Sequence, residues 1–185
     1  MERRHIDLPL GDLAARSLKA GDLLALSGPL FTARDAAHKR LTEALEQGLP
    51  LPVALQGQTI YYAGPCPAPP GQVIGSVGPT TSGRMDAYTP LLLQHGLRIM
   101  IGKGQRSPAV IAAMRLHGAV YLGATGGAGA LLSQHVRSAE VVAYPDLGPE
   151  AIRRLVVVDF PVIVLIDSQG NSLYQSGPAR YRLEG

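Results

Sequence analysis

From residue 72 onward the chain three times sets out a short apolar run, a glycine-rich loop and a helical pattern, and this repetition constrains the fold more than any other feature. Gln72–Val77 is predicted as a strand, Gly78–Asp86 as a loop, and a helix runs through Leu91, Leu92 and Leu93 to Gly96. Leu97–Ile101 is the next strand and Gly102–Ser107 the next loop. Pro108–His117 is the next helix, with Ser107 as N-cap, Pro108 first in the helix and Gly118 as its stop. The third unit is Ala119–Leu122, a loop Gly123–Gly127 and a helix to about Val136. Successive units of this kind imply parallel strands joined by right-handed crossovers. Their loops then gather at one carboxyl edge of the sheet, where ligands of open α/β sheets bind.

The flanks extend the pattern. Leu23–Leu26 is predicted as a strand, and Thr32 caps a helix over ARDAAHKRLTEALEQ that ends at Gly48. Asp35 stands at the third position of a capping box, and Arg34 lies in the first turn. The helix dipole disfavours a cation there unless an anion docks beside it. Thr59–Ala63 is a short strand, and Gly64–Gly71, with four prolines, is a stiff surface connection. Glu140–Tyr144 reads as a strand, Pro149–Leu155 as a helix, and Pro161–Ile166 as a strand before the turn signal Asp167–Asn171; the end strands are expected to be antiparallel. At 185 residues the chain is read as one domain, with residues 1–7 as a flexible arm.

Hydrophobic residues are 46% and charged residues 17% of the chain, enough apolar surface to exclude global disorder. A net charge of +3 with 5% aromatics and no Trp provides no basic stripe with stacking rings, so nucleic acid is not the expected partner. No window approaches the ~18 apolar residues of a membrane span, and Met1 is followed by Glu2, Arg3, Arg4 and His5 rather than an apolar run. A cytoplasmic protein with no membrane partner is expected. The single cysteine, Cys66, excludes an internal disulfide and any metal or iron–sulfur site built from this chain's thiolates alone. A cluster, if one takes part, is held by another chain.

Three loops carry candidate chemistry. Gly78-Pro79-Thr80-Thr81-Ser82-Gly83-Arg84-Met85-Asp86 offers three hydroxyls, backbone amides and a guanidinium suited to a carboxylate or phosphate; the alternative is a polar turn with a surface arginine. Gly102-Lys103-Gly104 sets an ammonium between two glycines at a strand end, without the spacing of a phosphate-binding P-loop. Gly123–Gly129, with Asp146 some twenty residues on, imitates a dinucleotide fingerprint but lacks the G-x-G-x-x-G spacing, and close helix–sheet packing is the competing explanation. His38 either approaches the Arg34 site or sits on the helix surface. His95, His117 and His135 fall near helix C-termini, where the dipole favours them. Asp35 and Asp86 flank the cationic loops as caps or arginine partners, and Cys66 has no basic helper nearby in sequence.

VGPTTSGRMDAYTPLLLQHGLRIMIGK (77–103), SGPLFTARDAAH (27–38), YYAGP (61–65), ATGGAGA (124–130) and the tail DLGPEAIRRL…DFPVIVLID closely resemble the β subunit of class I fumarate hydratases. The β subunits of L(+)-tartrate dehydratases are similar. Gly83 and Asp86 favour the fumarate branch, whereas Gln105 departs from the Asn often seen in fumarases. The resemblance implies a swivelling β/β/α domain with a mainly parallel central sheet and Gly-rich βα loops at one edge. It also implies an α subunit carrying a [4Fe–4S] cluster, an α2β2 assembly, and inactivity of this chain alone. Residue by residue, Arg34, Arg84 and Lys103 resemble the family's substrate-carboxylate contacts, and Thr80 and Thr81 the hydroxyls beside the reacting carbon. Thr80 and Lys103 take the catalytic positions, Thr80 as the proton-transfer residue, and no metal ligand falls on this chain. A stand-alone dinucleotide-binding domain or a scaffold using Gly123–Gly129 is the reading from other classes.

Overall fold

Apolar runs too short to be helices settle into strands only where a neighbour completes their hydrogen bonds. In this chain β2 (Leu23–Thr32), β3 (Thr59–Tyr61), β4 (Ile99–Gly102) and β5 (Val120–Gly123) pair in parallel, in that order. The computed structural model describes residues 3–179 and 181–182. A fifth strand, β7 (Ile152–Ile166), runs antiparallel to β2 along one edge and to β5 along the other, so the sheet closes on itself as the ring β2-β3-β4-β5-β7. Outside the ring, β1 (Arg4–Asp7) pairs in parallel with β2, and β6 (Val136–Ala143) pairs antiparallel with β7. The sheet is therefore mixed rather than purely parallel: β1–β5 pair in parallel, and the end strands β6 and β7 run antiparallel as expected.

Closure creates two apolar layers. Alternate residues of the ring, among them Leu24, Leu26, Tyr61, Ile99, Ile101, Val120, Leu122, Phe160 and Val164, form an inner cluster. The residues between them, including Ile60, Met100, Tyr121 and Leu165, face an outer layer of helices. Ala37 and Leu41 of α2 (Asp35–Glu46), Leu92 and Leu93 of α3 (Thr89–Gln94), and Val110 and Met114 of α4 (Pro108–His117) supply that layer. With both faces covered, the central strands read as near-continuous apolar runs rather than alternating ones. Helix α4 has the predicted bounds: the Ser107 hydroxyl accepts from the Val110 N–H, and Gly118 ends it at φ 69°. No helix among the described residues is long and apolar enough to cross a membrane.

Several expectations are overturned. Residues 72–77 form no strand: Cys66 N–H donates to Ser76 C=O at 3.0 Å and Gly75 N–H to Cys66 C=O at 3.2 Å, so the segment folds back on the Pro-rich loop. Prolines 67, 69 and 70 lack the N–H groups a longer ladder needs. Residues 149–155 form no helix. A 3₁₀ turn at Pro145–Glu150 leads straight into β7, whose first half is paired on both edges by β2 and β6, a gain no isolated helix offers. Helix α5 (Gly129–Ser133) is shorter than predicted and β6 starts earlier. Arg4–Asp7, within the expected arm, is strand β1, while the first two residues lie outside the described ones.

Candidate active site

β2, β3 and β4 end at a common edge, and the chain segments leaving them build the candidate site. Beyond β3, Tyr62 N–H donates to Ile101 C=O at 2.8 Å, and Thr80 N–H donates to Tyr62 C=O at 2.6 Å. Lys103 N–H then donates to Thr80 C=O at 3.4 Å and Ser82 N–H to Lys103 C=O at 2.8 Å, with Thr81 bridged in parallel to Lys103. Residues 80–82 are thereby stitched between the continuations of β3 and β4. Such proximity requires glycine at 102, since a Cβ there would stand 2.0 Å from Ser82 Oγ. Thr80, Thr81 and Lys103 are brought together as the loop pattern implied.

Arg34 and Arg84 are joined by a carboxylate. Arg84, in the 3₁₀ turn Ser82–Met85, donates its Nε to Asp35 Oδ1 at 2.7 Å; Arg34 Nε lies 3.8 Å from Asp35 Oδ2. The backbone cap of α2 is Arg34 rather than Thr32, which is buried in β2, and Asp35 is the first helical residue, where the dipole favours it. Glu150 completes the helix start: its Oε2 accepts from Ala36 N–H at 2.9 Å and its Oε1 lies 3.5 Å from Arg34 Nη2. Gly64 leaves room for Arg34, because a Cβ at 64 would meet the guanidinium at 2.9 Å. Lys103 is exposed and has no ion-pair partner among the described residues; its side chain passes over Gly126.

Beneath this rim lies a buried polar network of which the sequence reading had only Asp86, as a cap or arginine partner. Arg106, with a fully buried side chain, donates to Asp86 at 2.7 Å and to Thr89 Oγ1 at 2.8 Å, and its guanidinium lies 5.3 Å and 5.0 Å from the ring centres of Tyr62 and Tyr121. Asp86 also accepts from Ser107 N–H, joining the threonine loop to the start of α4. The Tyr121 hydroxyl hydrogen-bonds Ser82 Oγ at 2.8 Å and the Gly104 carbonyl at 2.9 Å, while Gly104 N–H donates to the Tyr174 hydroxyl at 3.0 Å. Burial raises the Tyr121 phenol well above its usual range, so it stays a neutral hydrogen-bonding group. The sole sequence signal for the other roles was arginine just ahead of a capped helix.

His38 is buried, not on the helix surface. Its Nδ1 lies 2.9 Å from Arg34 C=O, so Nδ1 carries the hydrogen and Nε2 a lone pair with no partner, and its ring meets Tyr62 edge-on at 5.1 Å. Desolvation lowers its pKa to about 4, leaving it neutral at pH 7. Cys66 is exposed, and among the described residues no group of three or more His, Cys, Asp or Glu side chains fits a metal ion. Packing explains the first and last glycines of 123–129, since a Cβ at Gly123 would meet Leu165 at 2.5 Å and one at Gly129 the Ser76 hydroxyl at 2.4 Å, while Gly127 takes a left-handed φ of 80°. Only the five-residue α5 follows them, too short to present a dinucleotide with a helix dipole.

A family model described as Fumarase C-terminus matches residues 2–177. The chain is 47% identical over 154 residues to "Fumarate hydratase class I, anaerobic" of Escherichia coli (strain K12), covering 82% of this chain and 28% of that protein. It is 42% identical to "Fumarate hydratase 2" of Leishmania major over 83% of this chain and 28% of that one. With "Putative L(+)-tartrate dehydratase subunit beta" of Methanocaldococcus jannaschii it shares 39% over 166 residues, 86% of this chain and 85% of the relative. The chain thus spans little more than a quarter of the fumarate hydratases and most of the tartrate dehydratase subunit.

Proposed function

The chain belongs to the Fumarase C-terminus family, and from that premise we propose that it is the β subunit of an iron–sulfur-dependent hydro-lyase interconverting fumarate and (S)-malate in the cytoplasm. What carries the reading is one arrangement: two arginines from separate loops linked by Asp35, on the same sheet edge as a lysine that has no ion-pair partner among the described residues and is stitched to two threonines. Fumarate and malate are dicarboxylates. Arg34, Arg84 and Lys103 supply three cations on three separately anchored segments, enough to grip both ends and fix the carbons between them. Thr80 and Thr81, whose backbones pair with Lys103, supply the hydroxyls in this reading, with Thr80 Oγ1 as the point of proton transfer. A threonine hydroxyl is far too weak a base alone, so Thr80 works with an acidic group of the partner and with the field of Lys103, whose backbone it touches.

The [4Fe–4S] cluster is assigned to a cysteine-bearing α subunit, since this chain has one cysteine and its described residues hold no group of three or more side chains fit for a metal; when bound there it supplies a Lewis acid to the substrate hydroxyl. This chain binds and orients the substrate and is inactive alone, in an α2β2 assembly whose domains swivel over the site. L(+)-tartrate dehydration is the second reading, favoured by a relative of matching length that is itself a subunit. The test is to purify the chain with its partner without oxygen and assay fumarate and tartrate. Arg84→Ala in that complex is expected to lower kcat/KM by about 10²–10³-fold, several kcal/mol of lost carboxylate contact, while assembly persists. Near-normal turnover refutes the role, and tartrate turnover in place of fumarate changes the substrate while keeping the grip.

A further inference from the structure

A carboxylate in the middle of a site for carboxylates repels its own ligand. Two acidic side chains stand among the cations here, and Glu150 is accounted for by the Ala36 N–H it caps. Asp35 makes no such backbone contact. Its Oδ1 takes the Nε of Arg84 at 2.7 Å, while its Oδ2 is buried, has no hydrogen-bond partner, and lies 3.8 Å from the equally buried and unpartnered Nε of Arg34. Nε is the one guanidinium nitrogen away from the tip of the side chain. A carboxylate that takes it leaves the end of the fork, Nη1 and Nη2, for another partner, and among the described residues the terminal nitrogens of Arg84 have none. Arg84 is about half exposed, so without a tether its long side chain samples many rotamers.

We propose that Asp35 is a positioning residue: held at the start of α2, it fixes Arg84 through Nε and turns both terminal nitrogens toward the substrate carboxylate, with Arg34 Nε within reach of its free oxygen. The role rests on the dicarboxylate reading of the site. It differs from a simple counter-charge in the sign of one effect. Removing a mere counter-charge tightens anion binding; removing a tether loosens it.

The experiment uses the assembled enzyme with succinate as an unreactive dicarboxylate. Asp35→Asn is expected to raise the succinate Ki and the substrate KM tenfold or more, with a smaller change in kcat. In an Arg84→Ala background the same substitution is expected to change Ki less than twofold, because the tether then has nothing to hold. A Ki that falls or stays level in the single variant overturns the role, as does an undiminished effect in the Arg84→Ala background. If the Asn variant does not assemble, Asp35→Glu serves instead: it keeps the charge and displaces the Nε contact by a methylene, so Ki rises for a tether and a level Ki overturns it. A wild-type complex that neither binds succinate nor turns over fumarate or tartrate overturns the dicarboxylate reading, and this role with it, and is told apart by needing no variant.

Discussion

The two faces of the closed sheet differ in kind. Inside the ring, Leu24, Leu26, Leu30, Ile99, Ile101, Val120, Leu122 and Phe160 pack with little polar content, the Tyr61 hydroxyl donating to Val77 C=O at 2.6 Å. Outside it, beneath the candidate site, buried His38, Ser82, Thr89 and Arg106 lie among the apolar side chains of α2–α4. An apolar cluster tolerates small shifts, because dispersion and burial are not directional. A hydrogen-bonded network with a buried guanidinium tolerates few, because each unmade bond costs the full desolvation of its groups. The inner face therefore supplies stability, and the outer face transmits that rigidity to the loops that present Thr80, Arg84 and Lys103.

The contrast is broken or sharpened by three measurements beyond those above. Arg106→Ala strands Asp86 and Thr89 and removes the plane between Tyr62 and Tyr121. It is expected to cost about 3–5 kcal/mol in thermal unfolding and to reduce kcat/KM of the assembled enzyme even at temperatures where the variant is folded. Phe160→Ala, in the inner cluster, is expected to cost a similar ~3–5 kcal/mol while leaving kcat close to wild type in the cold. Should Phe160→Ala depress kcat as Arg106→Ala does, the division of labour between the faces is wrong.

The smallest effect is a pH dependence. His38 has a folded pKa of about 4, below its unfolded value of 6.5, so the unfolded chain takes up the proton first. Stability is then flat above pH 6.5 and falls by about 3 kcal/mol as pH drops toward 4. His38→Gln is expected to flatten that segment of a melting profile. An equal slope in the variant assigns the acid sensitivity to other groups.

The legible parts of the chain were those governed by near neighbours. Ser107, Pro108 and Gly118 mark both ends of α4, and Asp167 closes the turn before Ser172 by accepting from Gln169 and Asn171 N–H. The cationic loops were legible as residue chemistry, but their convergence has another cause than the one expected: β4 releases Lys103 at the sheet edge, whereas residues 80–82 follow no strand and are stitched between the continuations of β3 and β4. The illegible parts involve long separations. Pro149–Leu155 carries a helical spacing, yet β2 and β6 claim it as strand from both sides. Gln72–Val77 has a strand's composition, yet it reaches no partner strand.

Residue chemistry and local caps are set by the order of amino acids, because a cap or a glycine stop acts over about four positions. They account for the βα pattern, the lack of a cysteine set and the inventory of cations and hydroxyls. The choice of partner for each charge came only with the tertiary pairing of the strands. Asp35 meets Arg84 across 49 positions, Asp86 meets Arg106 across 20, and Glu150 meets Ala36 across 114. A charge finds its counter-charge by distance in space, and that distance is set by which strands lie side by side: β2, β3 and β4 for the arginine–aspartate pairs, and β7 beside β2 for Glu150.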